Sequence, residues 1–307
     1  MNAFLKVLKR GGMMHYQDLG RYGCSHVGVS QGGAIDLQAH CWANYLLGND
    51  QRAVTIEITL GNTSWEILRD GEIVLTGAEM GAKLDGVKIS NWSTHKVCRG
   101  QVLSLGYAVS GCHAYLGVIG GFVVDEFLGS GSTVVRNDVG AWLEEGHVLK
   151  VTNEELQNSA RIRGVNQKLT PADFVPDYDR INEIRVLLAD GLGLDFYQAF
   201  LNNKYKVSPV SDRMGRKLEA LCELPKLPGI LSEGVSLGCI QLPQNGQPIV
   251  LLNDRQTQGG YAKVGNVARV DLPKLVQMRP GTEFRFVPVA LEPATDEWRE
   301  FIDFFGI

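Results

Sequence analysis

Short apolar runs, either alternating with polar residues or continuous, predict that β-strands dominate the first half of the chain. Gly residues or Asp-Gly pairs bound the runs, which are TIEITL (55–60), GEIVLTG (71–77), AKLDGVKI (82–89), QVLSLG (101–106) and HAYLGVIGG (113–121). Strands of this length and spacing are typical of hairpins in a barrel or sandwich. Asp85-Gly86 is the clearest predicted turn, because both residues tolerate positive φ.

Helical periodicity is confined to three segments, of which residues 34–47 form the longest. Their apolar side chains recur on one face, and Gly48 ends the run. The opposite face carries Asp36, His40 and Asn44 at four-residue spacing. Such a stripe is typical of a solvated polar face.

The two other helical segments lie near the end of the sequence. Residues 271–278 begin at Asp271, and residues 295–305 begin at Thr295. We predict that each of these two residues is an N-cap, because its side-chain oxygen can accept a hydrogen bond from the first turn. Few helices among many strands predict a mainly β protein with a few short helices.

A weak internal repeat relates the two halves of the sequence. Residues 55–79 and 230–255 share one order of features. Each has an acidic residue in a stretch of alternating apolar and polar residues, then a glycine, a turn and an apolar strand. Residues 99–105 then match residues 280–286 as a closing strand. The repeat indicates two related all-β lobes.

The join between the lobes is predicted at residues 170–180, a segment rich in proline and aspartate. We therefore predict a first lobe at residues 1–170, in which helix 34–47 is an insertion. The second lobe is predicted at residues 180–307.

Composition excludes several classes of protein. Of the 307 residues, 44% are hydrophobic and 21% charged, which predicts a folded globular chain. The net charge of −4 and the lack of a basic face argue against nucleic-acid binding. No signal peptide and no run of about 18 apolar residues are found, so we expect a cytoplasmic protein without a membrane span. The six cysteines lack metal-ligand spacing and are predicted to be reduced, mostly buried thiols.

The densest cluster of hydrogen-bonding side chains follows an apolar run in IVLLNDRQTQGGYAK (249–263). Polar residues at the end of a buried strand lie at the rim of a sheet or barrel, where a rigid base positions them. Arg255 offers a planar fork and Lys263 a point charge for an anion or a carbonyl oxygen. Asp254 is a candidate base or a residue that orients these cations. We predict that Asp254, Arg255 and Lys263 are catalytic.

The neutral residues of the same segment are predicted to bind substrate. Gln256 and Thr257 can recognise an amide, and Tyr261 can stack on a ligand or donate a hydrogen bond to it. Gly259 and Gly260 let backbone N–H groups approach a ligand closely. The alternative interpretation is a hairpin loop with solvated charges.

Two further clusters have a similar composition. QDLGRYG (17–23) contains Asp18 and Arg21, and SDRMGRK (211–217) contains Arg213. Each is a candidate part of the substrate site or a turn with a local ion pair, worth about 0–1 kcal/mol. If the two lobes face each other, these clusters and the 254–263 segment would converge on one cleft.

Three other motifs are weaker. GVSQG (28–32) fits a nucleophile elbow around Ser30, but that motif requires a parallel α/β sheet. LGSGST (128–133) is a candidate phosphate nest or, more simply, a glycine-rich turn, because no GKS or GKT follows. The histidines show no metal-binding spacing, so no metal site is predicted.

Several motifs together resemble one family. They are QDLGRYG, VSQGGAIDLQAHCWANYLLGN, AKLDG, AYLGVIGG, SDRMG and SEGVSLGCIQLPQNGQPIVLLNDRQTQGGYAK. They resemble the carboxyltransferase A/B-type family, the group of allophanate hydrolase subunit 2, the 5-oxoprolinase C subunit and biotin-dependent carboxyltransferases. The resemblance runs from about residue 12 to about residue 288.

The resemblance implies two cyclophilin-like β-barrel lobes and a companion C/D-type carboxyltransferase subunit. It implies a complex that uses ATP, shared with the partner, to activate 5-oxoproline, which a third subunit opens to L-glutamate. It also gives weight to Asn44 as a substrate-binding residue. No lysine lies in an AMKM-like context, so we expect no covalent biotin on this chain.

The departures of the chain from the family pattern include Gly131, His113, Gln258 and Ala262. These departures fit an alternative function, in which the chain is a non-catalytic regulator that relieves its partner's inhibition of a sensor kinase. A second alternative is biotin-dependent carboxyl transfer to a urea-like acceptor, with biotin on a separate carrier.

Overall fold

The computed structural model describes residues 2–151 and 167–307, which divide into two compact units. Residues 1–21 and 32–176 belong to the first unit. Residues 22–31 and 177–307 belong to the second, so a short segment near the start of the chain packs with the later half. The strand pattern of the sequence did not predict that residues 22–31 belong to the second unit.

The first unit contains two sheets. Its strands are β1 (Asn2–Lys9), β2 (Met14–Gln17), β3 (Thr55–Thr59), β4 (Gly61–Ile67), β5 (Gly71–Glu79), β6 (Lys83–Leu84), β7 (Val87–Lys88), β8 (Ser93–Val97), β9 (Val102–Tyr107), β10 (Ser110–Val118) and β11 (Val148–Val151). Six strands form one sheet in the order β11-β1-β4-β9-β6-β7, and five form the other in the order β2-β3-β10-β5-β8. The mainly β prediction is confirmed.

A large cluster of buried apolar side chains in this unit is drawn from both sheets and includes Leu5, Trp65 and Leu116. The predicted turn at Asp85-Gly86 joins β6 to β7, and both of its residues have positive φ, 49° and 81°. Two consecutive residues in this region match the right-handed twist of the flanking strands, as expected for a two-residue hairpin.

Helix α1 (Leu37–Leu47) begins after Asp36, whose Oδ1 accepts a hydrogen bond from the Ala39 N–H at 2.9 Å. Its polar stripe is buried, so the prediction of a solvated face is wrong. His40 contacts the Thr55 hydroxyl at 2.9 Å, and Asn44 Nδ2 donates to the Ala53 carbonyl at 2.9 Å. The stripe is buried because these partners in and before β3 satisfy its polar atoms.

The second unit is built on a closed barrel. Its strands are β12 (Glu183–Leu188), β13 (Tyr205–Val207), β14 (Gly215–Ala220), β15 (Glu233–Gly234), β16 (Cys239–Leu242), β17 (Ile249–Leu251), β18 (Gln258–Gly259), β19 (Ala262–Val267) and β20 (Glu283–Pro288). Seven strands close the barrel in the order β12-β19-β16-β17-β14-β13-β20. The two-residue strands β15 and β18 pair only with each other.

Three helices belong to the second unit, α2 (Leu194–Asn202), α3 (Leu272–Gln277) and α4 (Leu291–Phe305). Helix α2 was not predicted, and its Phe200 ring stacks on Phe286 with centroids 5.0 Å apart. Asp271 is the N-cap residue of α3, although its side chain does not cap. The N-cap prediction for Thr295 is wrong, because the N-cap residue of α4 is Ala290, five residues earlier, and the Thr295 hydroxyl donates to the Leu291 carbonyl inside the helix at 2.7 Å.

The cysteines are all thiols. Three of them are buried, Cys41, Cys112 and Cys239, whereas Cys98 and Cys222 are exposed. The prediction of thiols therefore agrees with the structure, but only three of the six cysteines are buried, whereas we expected most of them to be.

The burial of His40 predicts a pH dependence of stability in the first unit. Burial lowers the pKa of His40 from its ordinary value of 6.5. The unfolded chain therefore binds more protons than the folded chain below pH 6.5, and the stability present above that pH is lost as the pH falls. We expect the free energy of unfolding to decrease below pH 6.5 by up to about 1.4 kcal/mol per pH unit.

Urea unfolding between pH 5.5 and 7.5 measures this slope. His40→Gln should flatten it, whereas His147→Gln, at an exposed position of the same unit, should leave it unchanged. An equal slope in wild type and His40→Gln would contradict the assignment.

Candidate functional site

The loop after β17 is fixed by a buried ion pair between two predicted site residues. Arg213 Nε and Nη2 donate to Asp254 Oδ2 and Oδ1, each at 3.0 Å. The Asp254 N–H also donates to the Arg213 carbonyl at 3.0 Å. Both side chains are buried, and a bidentate, charge-assisted pair of this kind holds the carboxylate in one orientation. This geometry favours Asp254 as an orienting residue over Asp254 as a base.

Arg255 follows directly and turns into the protein, where it is only 9% exposed. Its Nε donates to the Val235 carbonyl at 3.2 Å, and its Nη1 donates to the Leu252 carbonyl at 3.3 Å. Burial first, and the positive charge of Arg269 second, lower the pKa of Arg255 to about 10. Arg255 is therefore a buried cation that the protein holds by its backbone rather than by a counter-charge.

The Lys263 side chain contacts both residues of strand β15. Its Nζ lies 2.8 Å from the Gly234 carbonyl oxygen and 2.8 Å from Glu233 Oε1. Glu233 is largely exposed, so this ion pair is solvated and contributes little to stability. Lys263 and Arg255 thus both donate to carbonyl groups of the segment 233–235.

Gly259 and Gly260 have no side chains where neighbouring groups approach the loop after β17 most closely. A Cβ on Gly259 would lie 2.5 Å from Gln241 Nε2, and a Cβ on Gly260 would lie 3.1 Å from the Ile230 carbonyl oxygen. The Gly260 carbonyl accepts a hydrogen bond from the Ile230 N–H at 2.9 Å. The glycine pair therefore lets the segment 230–234 and the Gln241 side chain approach the loop closely.

Gln241 is the most informative polar residue near this loop. It is 1% exposed, and its Nε2 has no hydrogen-bond partner among the described residues. Its Oε1 accepts a bond from Gln256 Nε2 at 3.5 Å. An unmatched buried N–H donor costs about 1–3 kcal/mol, so a ligand oxygen at this position would be stabilised.

The two remaining predicted residues of the segment lie nearer to solvent. Thr257 is half-buried, and its carbonyl accepts a hydrogen bond from the Val235 N–H at 3.1 Å. Tyr261 is exposed. The structure thus places residues 254–263 and Arg213 together in the second unit.

In the first unit, Asp18 occupies the LGSGST loop. Its carboxylate accepts hydrogen bonds from the Gly131 N–H at 2.7 Å, from the Ser130 hydroxyl at 2.7 Å and from the Ser132 hydroxyl. A second anion there would be repelled by this carboxylate. The loop therefore does not fit a phosphate group, and the simpler interpretation, a glycine-rich turn, agrees with the contacts.

Arg21 and Asn44 also bind backbone groups of the first unit. Arg21 is buried and donates to the carbonyls of Phe127 and Ser132, at 3.2 and 2.6 Å. Asn44 binds the carbonyl of Ala53 within the buried stripe of α1. These hydrogen bonds hold backbone segments of the first unit together.

The departures at Gly131 and His113 have local packing reasons. A Cβ on Gly131 would lie 2.4 Å from Val124 Cγ2 and 3.0 Å from Val54 Cγ2, so no larger side chain fits without a shift. His113 Nδ1 lies 3.1 Å from the Thr59 hydroxyl across the β3–β10 pair. Both positions are adapted to their neighbours.

The nucleophile-elbow interpretation of Ser30 finds no support. The Ser30 hydroxyl donates to the Arg255 carbonyl at 2.8 Å, and the preceding segment is not a strand. Ser30 instead attaches residues 22–31 to the loop that carries Arg255.

Sequence reasoning missed three residues of this region, Gln241, Glu233 and Arg269. Only Gln241 gave a local signal, as the one amide in the apolar run CIQL (239–242). Glu233 binds Lys263 because β15 pairs with β18, and the charge of Arg269 contributes to the lowered pKa of Arg255.

Neither a metal cluster nor a membrane span is found in residues 2–151 and 167–307. No group of three or more His, Cys, Asp or Glu side chains in these ranges is placed to hold a metal ion. No helix in the same ranges is both long and apolar enough to cross a membrane.

The chain belongs to the carboxyltransferase-domain family, since residues 27–288 match the family model described as carboxyltransferase domain, subdomain A and B. The predicted family is therefore confirmed. The 5-oxoprolinase C subunit of Escherichia coli (strain K12) is 33% identical over 303 residues, which cover 94% of this chain and 93% of that protein. The protein of the same name from Haemophilus influenzae is 33% identical over 291 residues, covering 91% and 89%.

Among solved structures, the urea carboxylase of Kluyveromyces lactis is similar with a TM-score of 0.85 and 27% identity. The match covers 99% of this chain but 29% of the urea carboxylase chain. The similarity therefore concerns one region of that larger enzyme.

The buried ion pair predicts a large loss of stability when one charge is removed. Asp254→Asn leaves Arg213 without its counter-charge, and we expect the free energy of unfolding to fall by about 3–5 kcal/mol. The double variant Arg213→Met/Asp254→Leu removes both charges and should lose less. Chemical denaturation of the three proteins measures the difference.

Asp296→Asn is the matched control, because Asp296 pairs with Arg299 at 3.0 Å on the surface and should change stability by no more than about 1 kcal/mol. If Asp254→Asn also lowers the free energy of unfolding by no more than about 1 kcal/mol, the buried pair does not fix the loop.

Proposed function

We propose that this chain is a subunit of an ATP-dependent amidohydrolase complex of the 5-oxoprolinase type. The observation that carries the proposal is the match to the 5-oxoprolinase C subunit over nearly the full length of both chains. In this function the chain works with a C/D-type carboxyltransferase subunit and a third subunit. The amide C–N bond of 5-oxoproline is broken, water supplies the new carboxylate oxygen, and ATP drives the reaction.

The proposed site is the loop after β17 with the strand beneath it. A cyclic amide presents one carbonyl oxygen and one N–H group. The unmatched Nε2 of Gln241 can donate to the carbonyl oxygen, and Arg255 adds a positive charge from the same region. Donors fixed before the reaction stabilise negative charge as it develops on that oxygen.

The remaining residues have supporting roles in this proposal. Asp254 and Arg213 hold the loop, and Gln256 binds Gln241, so its amide orients the donor. Lys263 holds segment 233–235 over the loop through Gly234 and Glu233. ATP remains part of the proposal as a reactant shared with the partner subunit.

A second candidate function is carboxyl transfer from biotin on a separate carrier to a urea-like acceptor. The similarity to urea carboxylase over 99% of this chain favours it. Urea also presents one carbonyl oxygen between N–H groups, so the same donors would serve. Bicarbonate-dependent ATP turnover that requires urea and a biotinylated carrier would identify this function.

The main proposal is tested by combining the chain with the C/D-type and third subunits and measuring ATP turnover with 5-oxoproline. We expect turnover in the wild type and a loss of about 30-fold or more in kcat/KM for Arg255→Gln, since one fixed charged donor contributes about 2 kcal/mol or more to the transition state. Lys204→Met, at an exposed position of the same unit, is the control and should keep full activity.

Absence of turnover in the complete wild-type complex would contradict the proposal. If the wild-type complex shows no turnover, and if Arg255→Gln and Lys263→Met both keep the chain's binding to its partner and its effect on it, the regulator alternative is favoured. A wild-type rate in Arg255→Gln with intact turnover removes Arg255 from the site but leaves the function standing.

A further inference from the structure

Ser30 is the buried residue of a short segment that is otherwise open to solvent. Residues 22–31 pack with the second unit, and the other nine residues of this segment are half-buried or exposed, with Val27 at 62%. Residues Ser25–Val27 form a single 3₁₀ turn that ends at Gly28, where φ is 79°. Ser30 is only 3% exposed. A buried hydroxyl in such a segment needs a hydrogen-bond partner.

The partner of the Ser30 hydroxyl is the backbone of the loop after β17. Its Oγ donates to the Arg255 carbonyl at 2.8 Å and lies 3.4 Å from the Asp254 carbonyl oxygen. A hydroxyl carries one proton, so the shorter contact is the principal hydrogen bond. Ser30 and Arg255 are 225 positions apart in the sequence. The contact therefore joins the loop to a part of the chain far outside the barrel sequence.

The peptide groups on both sides of Arg255 are fixed by hydrogen bonds. Before it, the Arg255 N–H donates to the Leu252 carbonyl at 3.1 Å. After it, the Arg255 carbonyl accepts the bond from Ser30. Peptide groups are planar, so a bond to one atom of each group restricts the φ and ψ of Arg255 and the direction in which its side chain leaves the backbone. Ser30 supplies the second of these two restraints.

The Arg255 side chain depends on its backbone for its position. Its contacts with the carbonyls of Val235 and Leu252, at 3.2 and 3.3 Å, are long for hydrogen bonds from N–H to oxygen. Among the described residues, no carboxylate forms an ion pair with it. A guanidinium that lacks a bidentate acid partner is not anchored at its charged end. The restraints on the Arg255 backbone therefore set where the charge lies.

We propose that Ser30 is a positioning residue of the candidate site, whose hydroxyl holds the peptide group after Arg255 and so fixes the Arg255 guanidinium for the reaction. Ser30 acts through Arg255 and does not itself touch the substrate. This inference rests on the proposed function for the role of Arg255 in the transition state. If Ser30 acts in this way, its hydroxyl matters for the rate only while Arg255 is present.

Amide hydrogen exchange of the purified full chain, followed by NMR, tests the structural part of the proposal without turnover. In Ser30→Ala we expect the Arg255 amide to exchange about 5- to 10-fold faster, as for the loss of one neutral hydrogen bond. Ser25→Ala, at an exposed position of the same segment, is the matched control and should leave this rate unchanged. Unchanged exchange of the β5 amides would show that the variants are folded.

ATP turnover of the complete complex with 5-oxoproline tests the catalytic part. We expect Ser30→Ala to lower kcat by about 10-fold with little change in KM, because a displaced donor is lost mainly in the transition state. In an Arg255→Gln background, the same Ser30→Ala change should alter kcat by less than about 2-fold. A merely structural role of Ser30 would instead lower activity equally in both backgrounds. Ser25→Ala should keep full activity.

Three results would overturn the proposal and leave the proposed function standing. They are unchanged exchange of the Arg255 amide in Ser30→Ala, a wild-type kcat in Ser30→Ala, and an equal loss of kcat in both backgrounds. Faster exchange in Ser30→Ala without turnover of the wild-type complex would do the opposite, since the loop would depend on Ser30 while the proposed function fails. If Ser30→Ala does not fold, Ser30→Cys replaces it, because a thiol of similar size is a weaker donor.

Discussion

The ion pair between Arg213 and Asp254 is the contact from which the geometry of the candidate site follows. It joins the turn before β14 to the loop after β17, through two side-chain bonds and one backbone bond. Because Asp254 is held in this way, the next residue, Arg255, enters the protein and meets the carbonyls of Leu252 and Val235. The pair is also neutral overall, so it leaves the charge of Arg255 uncompensated.

Buried polar groups have two roles in this structure. In the first unit, the Asp18 carboxylate, the Arg21 guanidinium and the polar stripe of α1 bind loops and strand ends of the same unit. Such contacts satisfy buried groups and fix loop positions. In the second unit, Gln241 Nε2 has no hydrogen-bond partner among the described residues, and no described carboxylate forms an ion pair with Arg255. Polar groups that a fold buries but does not satisfy are the ones that a ligand can stabilise.

Short-range signals in the sequence predicted much of the architecture. The Asp85-Gly86 hairpin, helix α1 and most strands of the first unit follow from turn chemistry and periodicity over a few residues. Helix α2 was missed because it has nine residues and follows Gly193, which provides no side-chain cap. The polar stripe of α1 was misjudged because its spacing is the same on a solvated helix and on a helix buried against polar backbone groups.

The candidate site was only partly predictable for the same reason. Asp254 and Arg213 were both found as polar residues beside glycines, but their pairing across 41 positions depends on the β14–β17 register. Arg269 lies outside the motifs, and only the tertiary structure brings its charge close enough to contribute to the lowered pKa of Arg255. Local composition can reveal candidate donors, whereas the assignment of counter-charges is a property of the tertiary structure.

The loop after β17 is proposed to hold hydrogen-bond donors for a small amide with an acidic group. A crystal structure of the complex with bound 5-oxoproline tests this proposal most directly. We expect the ligand beside this loop, with an oxygen within about 3 Å of Gln241 Nε2 or the Arg255 guanidinium. A ligand bound elsewhere, with both side chains in the positions described above, would contradict it.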